Sequence, residues 1–395
     1  MDIIIFKKEE IHPGIFKDLC PFKYIEYSSI DELKRSKYGN FKDLDITKCK
    51  IDSLSKELER NRRAAAKYLH EYELVKIICK KAVCSRAYFK LYEMIFFEKE
   101  ITHSYTLDCF FICEAPGGFI ECITDIRRKK NLKTEYLSIS ILDHELKYDR
   151  YLESNNLLYG DITNISVLDS TINSVLQRFP HKLKFVSADG GFDVKNFNSQ
   201  EILSQKLILS EIYLALNTQA EGGMFIIKFF DMFTHNSIVF YFILCSMYSY
   251  VKIIKPRTSR CSNSERYLMC YDFKGVQKDI LFDIRTILLN FVSSSGIHTL
   301  IYPNLYVDND IFVKKIHYFN QLILSKQIKT INESIKMVQS KDIYFQNLLL
   351  KLFMDKVPIN YILVYKNILN SRIKNCISWL RLHSINTNHM VYRFE

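Results

Sequence analysis

The stretch LDCFFICEAPGGFIE, residues 107–121, holds the pattern that sets the fold. An apolar run ends at Ile112, and Pro116, Gly117 and Gly118 follow almost at once. The whole chain has only 11 Gly and 7 Pro in 395 residues, so this cluster is informative. A β-type run, LDCFFIC (107–113), a breaker, then GFIECITDIRRKK (118–130) at helical period reads as strand, turn and helix. Glycine lets the backbone take a left-handed conformation or approach a ligand closely, and a helix start presents free N–H groups. An ordinary tight turn would leave the same local signature. The spacing is not GxGxxG, which weakens a dinucleotide reading.

The same unit recurs outward from this point. TEYLSIS (134–140), LKFVSA (183–188), GMFIIKF (223–229), YVKIIK (250–255) and RYLMCYD (266–272) read as further strands. The segments 199–220 and 236–249 read as helices between them. Alternation of this kind predicts a doubly wound α/β sheet, in which ligands bind beyond the carboxyl ends of the strands. Seven of the 11 Gly fall between residues 117 and 223, in CEAPGG, Gly160, ADGG and the pair Gly222–Gly223. The flanks 1–80 and 285–395 are nearly free of glycine and carry Leu, Ile and Lys at helix-like spacing, as in KDIYFQNLLLKLFMDK (341–356). Three consecutive regions are therefore expected: an N-terminal accessory region 1–80, a central catalytic domain 81–284, and a basic, mainly helical extension 285–395.

Composition bounds the function. Hydrophobic residues make up 48% and aromatic residues 14%, which is the make-up of a folded globular chain. The net charge is +11, and residues 285–395 supply +8 of it, with 14 Lys and Arg against 6 Asp and Glu. A solvated surface or a polyanionic partner accounts equally well for that excess. The 11 Cys form no CxxC pair and have no nearby His at ligand spacing, so no metal site is expected, and their scatter suits a reducing compartment. The start MDIIIFKKEE has too short an apolar run for a signal peptide. The run SIVFYFILCSMYSYV (237–251) is too short to span a bilayer and reads as a buried helix. An intracellular, soluble protein in the cytoplasm, without a membrane partner, is the expectation.

Four residues are candidates for chemistry. Lys228 sits inside the apolar run FIIKFF, where burial favours the neutral amine and so a general base; a lysine snorkelling from a strand end is the alternative. Asp189 ends LKFVSA and precedes two glycines, a pattern that plain turn chemistry also produces. Glu265 in SNSERY and Lys90 in SRAYFKL each read, taken singly, as solvated charges. Taken together, in order, they are far more specific.

Together with their contexts they resemble a known family. SRAYFKL, EAPGGF, SADGG, FIIKFFD and SNSERYLMC are similar, in order and spacing, to the FtsJ-type (RrmJ-like) 2′-O-ribose RNA methyltransferases, which carry a Lys-Asp-Lys-Glu tetrad on a Rossmann-like class I methyltransferase sheet with helices on both faces. The resemblance covers roughly residues 82–273. It implies Lys90, Asp189, Lys228 and Glu265 as the tetrad, with Lys228 the base and Lys90 helping to lower its proton affinity. It implies S-adenosylmethionine as cofactor, bound by Cys113, Glu114, Ala115, Pro116, Gly117, Gly118, Phe119, Asp161 and Asp189. YGDIT (159–163) and KPRTSRCSNSERY (255–267) resemble the cap-ribose branch, including the Adrift-type domains of large DNA viruses, which would place the protein in a viral factory or virion. That branch implies the capped 5′ end of mRNA as substrate, with capping-machinery or polymerase subunits as partners. Methylation of ribosomal or transfer RNA, and a degenerate methyltransferase fold that only binds RNA, are the competing readings. Two departures stand out: Phe111 occupies the family's usual acidic position at the end of the first strand, and the second strand ends in Ser138-Ile139-Ser140 without a carboxylate.

Overall fold

The computed structural model describes residues 2–7, 23–27, 42–141, 154–191, 199–291, 297–301, 310–340, 342–353 and 366–387. Its strands are β1 (Asp2–Lys7), β2 (Lys23–Tyr27), β3 (Thr106–Ile112), β4 (Lys133–Ser140), β5 (Leu157–Tyr159), β6 (Leu183–Ala188), β7 (Gln219–Phe230), β8 (Tyr248–Lys255), β9 (Glu265–Phe273) and β10 (Ile297–Ile301). The described chain divides into two units. The first comprises residues 1–40, 99–255 and 265–321, and the second residues 41–98, 256–264 and 322–395. Both are assembled from interleaved segments, whereas the sequence reading divides the chain consecutively.

In the first unit eight strands form one sheet in the order β1-β8-β9-β7-β6-β3-β4-β5. The ladders from β5 through β4, β3 and β6 to β7 are parallel, and β9 inserts antiparallel between β7 and β8. The central strands β3, β6, β7 and β9 are mostly apolar and buried along most of their length, as the middle of a sheet covered on both faces requires. β3 pairs with both β4 and β6, so the strand order reverses there, and it is at such a point that open α/β sheets bind ligands. The run 237–251, read as a buried helix, is one only as far as Met247: every residue of His235–Met247 is buried, and Tyr248–Val251 opens β8 instead.

The structure corrects the sequence reading at the edges. MDIIIFKK lies in a flank read as helical, yet Asp2–Lys7 is a strand, adding an antiparallel eighth strand beside β8. The β-branched Ile3, Ile4 and Ile5 favour that extended pairing. β2 and β10, also in the flanks, pair with each other in a separate ladder. β3 stops at Ile112, because Cys113 turns to φ 57° and leaves the strand. The three-residue β5 is too short to give a periodic signal.

The second unit is mainly helical. Helices Lys56–Leu69 and Ile343–Phe353 meet through Tyr68 and Phe345, ring edge to ring face at 5.5 Å. Trp379 of helix Lys366–Leu382 packs on Phe89 and stacks on His383 at 4.0 Å. The segment Pro256–Ser264 is tied down by charge. Glu93 accepts from the backbone N–H groups of Arg257 and Thr258, Arg86 donates to the Thr258 carbonyl, and Arg260 makes a two-pronged pair with Glu73.

Candidate active site

The first unit gathers its chemistry at the carboxyl edge of the parallel strands. β6 ends at Ala188, so Asp189, Gly190 and Gly191 form the turn beyond it. Lys228 lies two residues before the end of the neighbouring β7. Because β9 runs antiparallel, its amino end reaches this same edge: Glu265 pairs with Phe230, and Tyr267 with Lys228. Side chains alternate along a strand, so Lys228, Glu265 and Tyr267 share one face while Arg266 points to the other. On that opposite face Arg266 is fully buried between the Phe233 and Phe319 rings, bonded to Asn320 and paired with Asp231 at 3.4 Å.

Lys228 Nζ donates to the Asp189 carbonyl at 2.7 Å and lies 3.2 Å from the Asp189 carboxylate. The Tyr267 hydroxyl donates to that carboxylate at 2.8 Å. Lys228 and Glu265 are 8% and 7% exposed, so this is a desolvated cluster, not a snorkelling lysine. One expectation is corrected. Burial is the largest single influence on Lys228 and does favour the neutral amine. The acids Asp189, Glu265 and Glu211, with the Asp189 hydrogen bond, outweigh it, and the lysine holds its proton more tightly than usual.

One strand away from Asp189, the turn after β3 carries the glycine cluster. Gly117 takes φ 105°, a left-handed conformation that its lack of Cβ permits, and starts helix Gly118–Arg128. Gly117 provides no side-chain cap; the buried Glu114 accepts from the Phe119 N–H instead. Phe119 sits against Tyr267, with ring centroids 6.1 Å apart. Asp161, beyond β5, is exposed and accepts from the Thr163 N–H and hydroxyl. Asp161, Glu114, Glu211 and Lys228 all act electrostatically on the Cys113 thiol, which burial pushes up. Of the residues expected in the site, Asp189, Lys228, Glu265, Asp161 and Cys113 through Phe119 belong to the first unit. Lys90, half-buried on helix Ala87–Ile95, belongs to the second.

Sequence reasoning missed two residues. Glu211 is a fully buried acid on helix Gln205–Thr218 that accepts from the Gly190 N–H at 3.1 Å. Its signal was a lone carboxylate in the apolar run LILSEIYLAL. Tyr267 stood inside the quoted SNSERY run, two residues after Glu265, where strand alternation puts both on one face.

The edge fits a nucleotide-like cofactor. A Cβ at Gly191 would come within 3.0 Å of the Phe230 ring and 3.1 Å of Lys228 Nζ, and one at Gly190 would lie 2.1 Å from Glu211. Glycine there lets the turn after β6 pack close on Glu211 and Lys228, while the left-handed Gly117 turn, one strand away, opens the helix whose first N–H groups lie at the switch point. A parallel sheet with this reversed strand order, a glycine turn opening the helix after its central strand and acidic and basic groups along the same edge defines the Rossmann-like methyltransferase class. Residues 83–273 match the FtsJ-like methyltransferase family. The matched span runs from ahead of β3 to the end of β9.

Named relatives agree with this. The cap-specific mRNA (nucleoside-2′-O-)-methyltransferase 1 of Bos taurus is 33% identical over 209 residues, 49% of this chain and 25% of that protein. The human protein of that name is 32% identical over 245 residues, 58% of this chain and 29% of that one. The one from Trypanosoma brucei brucei is 27% identical over 241 residues, 58% of this chain and 64% of that one. The chain thus spans about a quarter of the mammalian proteins and under two thirds of the trypanosome one. Among solved structures, a ribosomal RNA methyltransferase from Plasmodium falciparum is 24% identical, covering 49% of this chain and 99% of that one, at a TM-score of 0.37, too low to carry a functional argument.

Proposed function

We propose that the protein methylates a ribose 2′-hydroxyl of RNA, at the capped 5′ end of mRNA, with S-adenosylmethionine as donor. The observation that carries this reading is the desolvated Lys228–Asp189 pair, with Tyr267 and Glu265, one strand from the glycine turn at 113–118. The relatives' names support the RNA and cap assignment.

The backbone around Cys113–Phe119 and the turn at Asp189–Gly191 would hold the cofactor, with Asp161 beyond β5. When bound, the cofactor supplies an activated methyl group on a sulfonium. What remains for the protein is to orient the hydroxyl and accept its proton. Lys228 is the acceptor. In the chain alone Asp189 and Glu265 keep it protonated; a positive charge placed beside it lowers its proton affinity and frees the amine. Asp189 orients the amine through both its carbonyl and its carboxylate, and Tyr267 fixes that carboxylate. Glu265 adds to the field that holds Lys228 in place. Lys90 is included on the motif match and is tested separately, by Lys90→Ala.

The test is transfer of a labelled methyl group to capped and uncapped transcripts, followed by nuclease mapping of the modified ribose. Lys228→Ala is expected to lose about 100-fold or more in rate while still binding the donor in calorimetry. Wild-type rate in that variant would reject the base assignment. Equal rates on capped and uncapped RNA would favour a ribosomal or transfer RNA substrate.

A further inference from the structure

The peptide unit joining Asp189 to Gly190 is gripped at both ends. Its carbonyl accepts from Lys228 Nζ at 2.7 Å, and its N–H donates to Glu211 Oε1 at 3.1 Å. Glu211 is packed hard against this turn, its Oε1 lying 2.1 Å from where a Cβ on Gly190 would sit. Its other oxygen has no N–H or O–H partner among the described residues, and the soft Cys113 thiol adds only a weak donor. A buried carboxylate with so few donors is costly, and a carboxylic acid there costs much less. We propose that Glu211 is a positioning residue for methyl transfer, acting in its protonated form on Lys228 through the Asp189–Gly190 peptide.

The reasoning is electrostatic, and it deepens the methyltransferase function proposed above, on which it depends. An ionised Glu211 would polarise the peptide, strengthen the Asp189 carbonyl as an acceptor and hold the proton on Lys228. A neutral Glu211 fixes the turn without that added pull. The titratable groups facing it are Cys113 from the turn after β3, Asp189 from the turn after β6 and Lys228 from β7. Burial, the largest influence, with Asp189 behind it, pushes the Glu211 carboxyl up to about 8 against the opposing effect of Lys228. At neutral pH the acid form therefore prevails, and it is lost as the medium turns alkaline.

Two measurements on the full chain test this. In methyl transfer to capped RNA, the rate of Glu211→Gln relative to wild type is expected to rise about threefold or more between pH 7 and pH 9, because only wild type ionises there. Glu211→Leu, which leaves the Gly190 N–H unpaired, is expected to lose about tenfold in kcat/KM, with Gln restoring most of it. In thermal unfolding, wild type should lose melting temperature relative to Glu211→Gln as pH rises from about 5 to about 8. A raised carboxyl stabilises below its unfolded value of 4.5, and that stability is lost as pH climbs to the folded one. Parallel melting curves for wild type and Gln, or a rate ratio that stays flat with pH, would overturn the proposal. A wild-type protein that methylates no RNA would reject the methyltransferase function instead, and the melting comparison would still report the proton on Glu211.

Discussion

Gly190 shows how little room the turn after β6 leaves. A methyl group there would meet the Glu211 carboxyl and, at 3.2 Å, the Leu207 side chain. Gly190→Ala is therefore expected to cost about 1–3 kcal/mol, read as a lower midpoint in urea unfolding. The nearby Tyr267 hydroxyl serves a charged acceptor, so Tyr267→Phe should cost about 1.5–3 kcal/mol in the same assay. It should also slow methyl transfer by loosening Asp189. In the second unit, burial pushes His70 down to about 3, helped by the Arg86 charge. A depressed histidine stabilises above its unfolded value of 6.5, and that stability is lost as pH falls toward the folded one. Between those limits wild type should lose up to about 1.4 kcal/mol per pH unit relative to His70→Gln. Equal acid limbs in the two proteins would refute the assignment.

At the scale of elements, the antiparallel insertion of β9 does most to build the site. Without the reversal Glu265 and Tyr267 would stand at the opposite edge from Lys228. Helix His235–Met247, which follows β7, is anchored by one acid: Glu201 Oε1 accepts from the N–H groups of Phe233 and Thr234 and from the Thr234 hydroxyl. Thr234 is also the helix N-cap, accepting from Ser237 N. Glu201→Leu would leave the Phe233 and Thr234 N–H groups buried without an acceptor, a loss of about 2 kcal/mol or more. The measurement is the urea midpoint, and an unchanged value would show that another acceptor replaces the carboxylate. The element pattern was largely legible. Apolar runs marked six of the strands, because a strand in the middle of a sheet covered on both faces must be largely apolar on both. β1, β2, β5 and β10 were not legible, since short or flanking strands take their structure from a partner and leave no period of their own.

At the scale of the molecule the charge bears on RNA binding. In the second unit, Lys326, Lys329 and Lys336 are exposed on helix Asp310–Gln339 at spacings that share a face. Reversing all three to Glu should weaken binding of capped RNA several-fold. It should also reduce the magnitude of the slope of log affinity against log salt by about 0.7 for each phosphate no longer neutralised. An unchanged slope would exclude that face from the interface. Sequence alone determined the strand–turn–helix order, the glycine turns and the identity of the lysines and acids, because period, breakers and residue type are local properties of the chain. Only tertiary structure decided that Lys228 keeps its proton, that Glu211 underlies the Asp189–Gly190 peptide and that Tyr267 faces Asp189. Those outcomes depend on which distant charges share a dry volume, and in that volume burial and neighbouring acids pull a lysine in opposite directions.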